Sequence, residues 1–332
     1  MATPILRTAR AAYAVNAAKR SCKIQYVSDL HLEFQDSLPF QRLLRPAAKY
    51  LALAGDIGKP GHKLYDPFLK YASDNWDHVF YVAGNHEYYD THRSKWGDTK
   101  PTLFEDRHAE IVATVKQYPN IHFLRHESPS YYLAAENIAV VGSTLWTHTS
   151  DENRPYLAYS GYNDYNFIAR AGEGGTIMPI HSEFLNAKHE AEKQMLEAQI
   201  AYWESQHTDV VVLTHHMPSF SLISPRYRGD PLNFCFASNC ESLMRPNVKA
   251  WIYGHTHNAS SGMLGQTFVA CNARGYPGES VPGFQTDRCL EIRPRDDEEA
   301  VDGLSPELSA AAHGIKNPEI TQLNDDSTIV FV

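Results

Sequence analysis

Apolar residues fall in short runs rather than in long stripes. Ile24–Val27, Tyr50–Ala54, Val79–Ala83 and Val210–Leu213 have strand length, and Ala250-Trp251-Ile252-Tyr253 forms a fifth run of the same kind. Such runs read as buried strands. His122–Leu124, Ser130–Leu133 and Ile138–Gly142 read as further strands, and Thr328–Val332 as an edge strand. Helical patterns are expected over Pro39–Lys49, Leu64–Asp74 and His181–Gln206. In the last of these, Phe184, Leu185, Met195, Leu196, Ile200 and Trp203 recur near the ~3.6-residue helical period, which points to core packing. Strands alternating with helical segments argue for the α/β class. Tyr156–Gly175 is too polar for a helix and too aromatic for a plain linker, so it is expected as a loop beside the functional site.

Composition narrows this picture without changing it. The 332 residues suffice for one large α/β domain with appendages, and 43% apolar with 21% charged residues is ordinary for a globular chain. Three regions are expected: a basic, Ala-rich leader over 1–22, a catalytic domain over 23–293 and an acidic tail over 294–332. The leader carries Arg7, Arg10, Lys19 and Arg20 with no acid before Asp29. That is the character of an organelle transit peptide, and equally of a disordered leader or a peripheral helix. Residues 296–332 hold nine acids and one lysine, a charge of −8, so of the net −9 only −1 belongs to the remainder. A near-neutral body without Lys/Arg runs argues against nucleic acid as a partner. No apolar stretch approaches the ~18–20 residues of a membrane span. Five cysteines without a CxxC pair suggest reduced, buried thiols, hence a cytoplasmic protein, with organelle targeting through the leader as the alternative.

The chemistry lies directly after the apolar runs. Asp29-Leu30-His31, Gly55-Asp56, Gly84-Asn85-His86-Glu87, Thr214-His215-His216 and Gly254-His255-Thr256-His257 each follow one of them. Loops just beyond buried strands are where α/β folds place their sites. Asp29, His31, Asp56, Asn85, His215, His255 and His257 are seven potential ligands, more than one ion needs. Imidazole, carboxylate and amide oxygens suit transition metals, so a two-metal site is expected. Manganese is the first expectation, with iron, zinc or magnesium as alternatives.

The ordered set D-x-H, G-D, G-N-H-E, H, G-H-x-H resembles the calcineurin-like metallophosphoesterase superfamily. The resemblance implies an α/β fold with a two-sheet β-sandwich flanked by helices. It implies a hydrolase of small phosphodiesters or phosphomonoesters, in which a metal-bridging hydroxide attacks phosphorus. Asp56 would bridge the ions, with Asp29, His31 and His257 completing one shell and Asn85, His215 and His255 the other. The residue types alone leave that partition open. His86 would face the substrate and stabilise or protonate the leaving oxygen, while Glu87 is expected to be structural. Asn85, His216, Arg226, Tyr227, Arg228 and Asn233 are the candidate substrate contacts, the arginines because guanidinium suits phosphate. The arginine that precedes Gly-Asn-His in protein phosphatases is Ala83 here, which favours a small-molecule substrate.

Two rival readings use the same residues. A metal-free interaction scaffold on this fold would have lost ligands, whereas all seven and His86 are present. A nuclease of the superfamily would need a basic groove. Neither a Gly-x-Ser-x-Gly elbow, a Walker A loop nor a His-Glu-x-x-His motif occurs.

Overall fold

Every apolar run forms a strand. The computed structural model describes residues 21–90 and 101–293 together with the strand Ile329–Phe331, so most of the expected leader and tail lies outside the described residues. Strand β1 (Cys22–Val27) is followed by α1 (Phe40–Leu43), β2 (Tyr50–Ala54), α2 (Tyr65–Asn75), β3 (His78–Val82), α3 (Phe104–Val115) and β4 (Ile121–Phe123). Next come the antiparallel pair β5 (Ser130–Leu133) and β6 (Ile138–Ser143). Helices α4 (Arg154–Ser160) and α5 (Asn163–Phe167) precede a ribbon of β7 (Ala169–Ala171) and β8 (Ile177–Pro179). The long α6 (Ser182–Ser205) leads into β9 (Asp209–Thr214) and β10 (Val248–Tyr253). Strands β11 (Ser260–Leu264), β12 (Thr267–Cys271), β13 (Cys289–Ile292) and β14 (Ile329–Phe331) complete the chain.

The strands build two six-stranded sheets, ordered β14-β13-β1-β2-β3-β4 and β11-β12-β10-β9-β6-β5. In the first, β1 through β4 are parallel neighbours. In the second, β6, β9, β10 and β12 are parallel neighbours. Three apolar layers hold the stack together. Phe80 and Val82 of β3 meet Val211 and Leu213 of β9 between the sheets. Val79 and Tyr81 face outward onto Phe68 and Leu69 of α2 and Ile111 of α3. Val210 and Val212 face outward onto Leu196 and Ile200 of α6. Burial on both faces explains why these strands read as continuous apolar runs rather than alternating ones. The result is the expected helix–sheet–sheet–helix sandwich. All five cysteines are free and buried, and among the described residues no helix is long and apolar enough to cross a membrane.

Two expectations need correction. The helix expected over Pro39–Lys49 shrinks to α1, because Pro46 disfavours helical geometry at Arg45 and the chain is drawn to β1 and the segment before β13 instead. There Arg45 N donates to Thr286 O, and Ala47 N to Gln25 Oε1. Tyr156–Gly175, expected as a loop, contains the end of α4, all of α5 and β7. Gly161 ends α4 in the left-handed conformation at φ 68°, so the turn is sharp enough for a second short helix to begin at once.

The sheets approach closely at β6. A Cβ on Gly142 would lie 2.6 Å from the Leu213 carbonyl oxygen and 3.0 Å from carbons of Leu124 and Val82. Beyond β2 and β3 the turns are tied by one carboxylate. Glu87 accepts hydrogen bonds from Gly84 N (2.7 Å), Asp56 N (3.0 Å), Ile57 N (2.8 Å) and Tyr81 OH (2.9 Å). Burial, and then the neighbouring Asp56 charge, push its pKa up to about 7. Three of these four partners are backbone N–H groups of the two turns, in keeping with the structural role expected of Glu87.

Both contacts can be tested by stability. Gly142→Val should destabilise the fold by about 1–3 kcal/mol through overpacking; an unchanged urea midpoint would show that the sheets can part at no cost. Glu87→Gln sets an amide NH₂ against groups that donate, and should cost about 3 kcal/mol on the same measurement. Wild-type stability in that variant would remove Glu87 from its anchoring role.

Candidate metal centre

All seven candidate ligands converge at the carboxyl ends of β1, β2, β3, β9 and β10. The loops bind one another directly. Asp29 N donates to Gly55 O and His31 N to Asp56 O, while Gly254 N donates to His215 O. Across the two sheets, His255 N donates to both oxygens of Asp29, each at 3.1 Å. Tight turning has a conformational cost. Of the eight non-glycine residues with positive φ among the described residues, five are candidate ligands: Asp29, His31, Asp56, His255 and His257. Left-handed backbone at residues with side chains concentrates where function demands it.

The ligand atoms form two groups. Asp29, His31 and His257 make one, and Asp56, His215 and His255 the other, with ligand atoms of each group within 4.8 Å of one another. Asp56 divides its oxygens between them: Oδ2 lies 3.9 Å from His31 Nε2, and Oδ1 lies 3.4 Å from His215 Nε2. Asn85 Oδ1 lies 3.0 Å from His215 Nε2 and so joins the second group. Within the first, the His31 and His257 Nε2 atoms are 3.0 Å apart, and His257 Nε2 is 3.6 Å from Asp29 Oδ1.

Each of the four imidazoles has its other nitrogen beside a hydrogen-bond acceptor. His31 Nδ1 faces Glu33 (3.1 Å), His215 Nδ1 the Ala54 carbonyl (2.9 Å) and His257 Nδ1 Glu279 (2.7 Å). His255 is reversed, with Nε2 on the Cys235 carbonyl at 3.1 Å. A ring that donates on one side turns a lone pair inward on the other, the support that metal-binding histidines need. Buried nitrogen and oxygen donors, oriented in this way around a shared carboxylate, fit a pair of transition-metal ions.

His86 stands beside this cluster. Its backbone N–H donates to Asp56 Oδ1 at 2.9 Å, and its ring stacks on Tyr89 with centroids 4.2 Å apart. Nδ1 meets Glu33 Oε1 at 2.9 Å, and Nε2 meets Tyr276 OH at 3.1 Å. Burial alone disfavours charge on the ring, yet Asp56 and Glu33 outweigh it and lift the pKa to about 8. Burial likewise opposes ionisation of Glu33, but its hydrogen bonds to His31 and His86 bring its pKa down to about 2.

An open cavity of about 430 Å³ leads to the cluster, a volume that suits a small molecule. Asp56, Asn85, His86, His255 and His257 reach its surface. Arg226 and Tyr227 also line it, whereas His216, Arg228 and Asn233 do not. His216 is corrected from a substrate contact to a packing residue. It is fully buried, with its ring 4.4 Å from that of His255 and 5.6 Å from Trp146, and burial followed by His215 drives its pKa down to about 3. Asn233 instead donates its amide to the Tyr227 carbonyl at 2.8 Å.

Several supporting residues carry no motif in the sequence. Buried Asp164 accepts from Asn85 Nδ2 (2.9 Å), Tyr89 OH (2.6 Å) and Tyr162 OH (2.6 Å), which fixes the Asn85 amide with its oxygen toward His215. Its segment, Gly161-Tyr162-Asn163-Asp164, does carry a signal in its unusual polar and aromatic mixture. Tyr276 stacks on His31 at 4.3 Å, and Glu279 accepts from both Tyr276 N and His257 Nδ1. Nothing in the local sequence marks Glu33 or Glu279 as partners of these histidines.

Comparison with known proteins bears on the same residues. A family model described as calcineurin-like phosphoesterase matches residues 23–259, which include every candidate ligand. "Uncharacterized protein L509" of Acanthamoeba polyphaga mimivirus is 29% identical over 272 residues, covering 77% of this chain and 92% of that protein. Phosphopantetheinyl Hydrolase (PptH) from Mycobacterium tuberculosis aligns with a TM-score of 0.57 at 16% identity, over 78% of this chain and 92% of its own. At that identity the likeness bears on the fold alone. With most of its length matched and its two-sheet architecture in agreement, the chain belongs to the calcineurin-like phosphoesterase family.

Proposed function

We propose that this chain is a dinuclear-metal hydrolase of small phosphate esters, either diesters or monoesters. One observation carries the reading: Asp56 offers one oxygen to each of two histidine-bearing groups. Asp29, His31 and His257 would hold one ion, Asn85, His215 and His255 the other, and Asp56 both. Manganese remains the first expectation among manganese, iron, zinc and magnesium. When bound, the pair supplies an acidified water as nucleophile and neutralises the phosphoryl oxygens.

The chain's own residues supply the rest. His86, held by Glu33 on Nδ1, presents Nε2 toward the cavity. In its protonated form it donates Nε2–H to the leaving oxygen as the ester bond breaks. Tyr276 OH, now on that nitrogen, marks the position that the ester oxygen would take. Asp164 keeps the Asn85 oxygen turned inward through its bond to the amide nitrogen. The cavity's modest size supports a small ester over a polymeric substrate.

Asp56→Asn should lower turnover about a hundredfold or more and reduce bound metal, because one neutral amide replaces the shared carboxylate. His86→Ala should lower turnover about 10²–10⁴-fold with metal content retained. Elemental analysis beside kinetics checks both: full activity in Asp56→Asn sinks the bridging role, and metal loss in His86→Ala makes His86 a ligand rather than an acid. Turnover of bis(4-nitrophenyl) phosphate against 4-nitrophenyl phosphate, with manganese-loaded protein, then separates diesterase from monoesterase. Activity on neither, with two metals bound, restricts the enzyme to a narrower ester; activity on neither with no metal bound ends the hydrolase reading.

A further inference from the structure

Among the described residues, Arg226 is the single lysine or arginine in the cavity wall. Its guanidinium lies 4.4 Å from the Tyr227 ring centroid and has no carboxylate partner among the described residues. The acid nearest in sequence is turned away: Asp230 Oδ1 accepts from Leu232 N at 2.8 Å. The loop is nevertheless built. The Tyr227 carbonyl accepts from Asp230 N at 3.0 Å and from the Asn233 amide at 2.8 Å, while Tyr227 N donates to Ser224 O at 2.9 Å. These bonds fix the backbone turn that carries Arg226 and Tyr227, and the guanidinium rests over the Tyr227 ring without being neutralised.

The rest of the wall combines two chemistries. Asp56, Asn85 and the histidines make one polar region, where the proposed function puts the scissile phosphoryl group. Leu232, Phe236, Tyr227 and Tyr276 contribute apolar and aromatic surface. The acids in the lining are already engaged, Asp56 with the histidine groups and Glu279 with His257 and Tyr276 N. A free cation beside apolar surface in a cavity that takes phosphate esters is suited to a second anion on the same ligand.

Resting on the phosphoesterase reading, we infer that the substrate carries a second phosphate group, joined to the scissile one through an apolar or aromatic body, and that Arg226 binds it. Arg226 thereby selects among phosphate esters, while the metal ligands and His86 act on the scissile bond.

A ladder of alkane bisphosphonates of increasing length, compared with alkylphosphonates of matched length, tests this by calorimetric titration of metal-loaded protein. In wild type, one chain length should bind about tenfold tighter than its single-headed counterpart, the gain expected of a charge-assisted guanidinium contact. In Arg226→Ala that ratio should fall to about one, and Arg226→Lys should keep part of it. Each ratio is internal to one protein, and unchanged affinity of Arg226→Ala for the single-headed alkylphosphonate shows that fold and metal are retained. No gain at any length in wild type, or a gain that persists in Arg226→Ala, overturns the assignment. The titration needs no turnover. Failure of the same preparation to hydrolyse bis(4-nitrophenyl) phosphate or 4-nitrophenyl phosphate would therefore count against the phosphoesterase reading separately.

Discussion

Two carboxylates buried at the meeting edge of the sheets constrain everything around them. Asp29 and Asp56 are essentially inaccessible to water, and an uncompensated ion in such a place costs several kcal/mol. The surroundings answer with donors and positive charge. His255 N–H is directed at Asp29 and His86 N–H at Asp56. Burial opposes ionisation of Asp56, yet His215 and His86 hold its carboxyl well below the usual carboxylate range. The carboxylates follow β1 and β2 and these partners follow β3, β9 and β10, so compensation requires both sheets in register. The apolar layers make that register rigid, because each strand is locked on two faces.

Support for the site is arranged in pairs that share one acceptor. Glu33 serves His31 and His86, Glu279 serves His257 and the Tyr276 backbone, and Asp164 serves Asn85 with two tyrosines. A shared acceptor orients two or three groups with a single charge, which limits the number of ions the site must desolvate. Glu87 does the same for two backbone turns. The geometry thus depends on few groups, and each is coupled to more than one functional atom.

Much of this is legible in the amino-acid order alone. The strands are readable because burial on both faces makes an apolar run unbroken, as in Val210–Leu213. The candidate ligands are readable because each follows such a run within a few residues. The supporting shell is not. Glu33 meets His86 across 53 positions and Tyr276 meets His86 across 190, and only the fold brings them together. Local propensity also misjudges short helices. α5 is five residues of Asn, Asp, Tyr and Phe, held by the tyrosine and asparagine contacts of Asp164 together with the packing of Tyr165 and Phe167 on the core. His216 misleads for a related reason: adjacency to a candidate ligand in sequence is not adjacency to the cavity, since His216 is fully buried and absent from the cavity wall.

The left-handed backbone of Asp29, His31, Asp56, His255 and His257 changes how the site can be dissected. Alanine at any of these positions removes a candidate ligand and also leaves a residue with no side-chain hydrogen bond to ease positive φ, where Asn and Asp are the tolerated non-glycine choices. An alanine scan would report backbone strain and lost coordination as one number. Asparagine at the aspartate positions keeps the turn while altering the donor, and glycine relaxes the turn while deleting it. Comparing the two separates how the loop is shaped from what the loop binds.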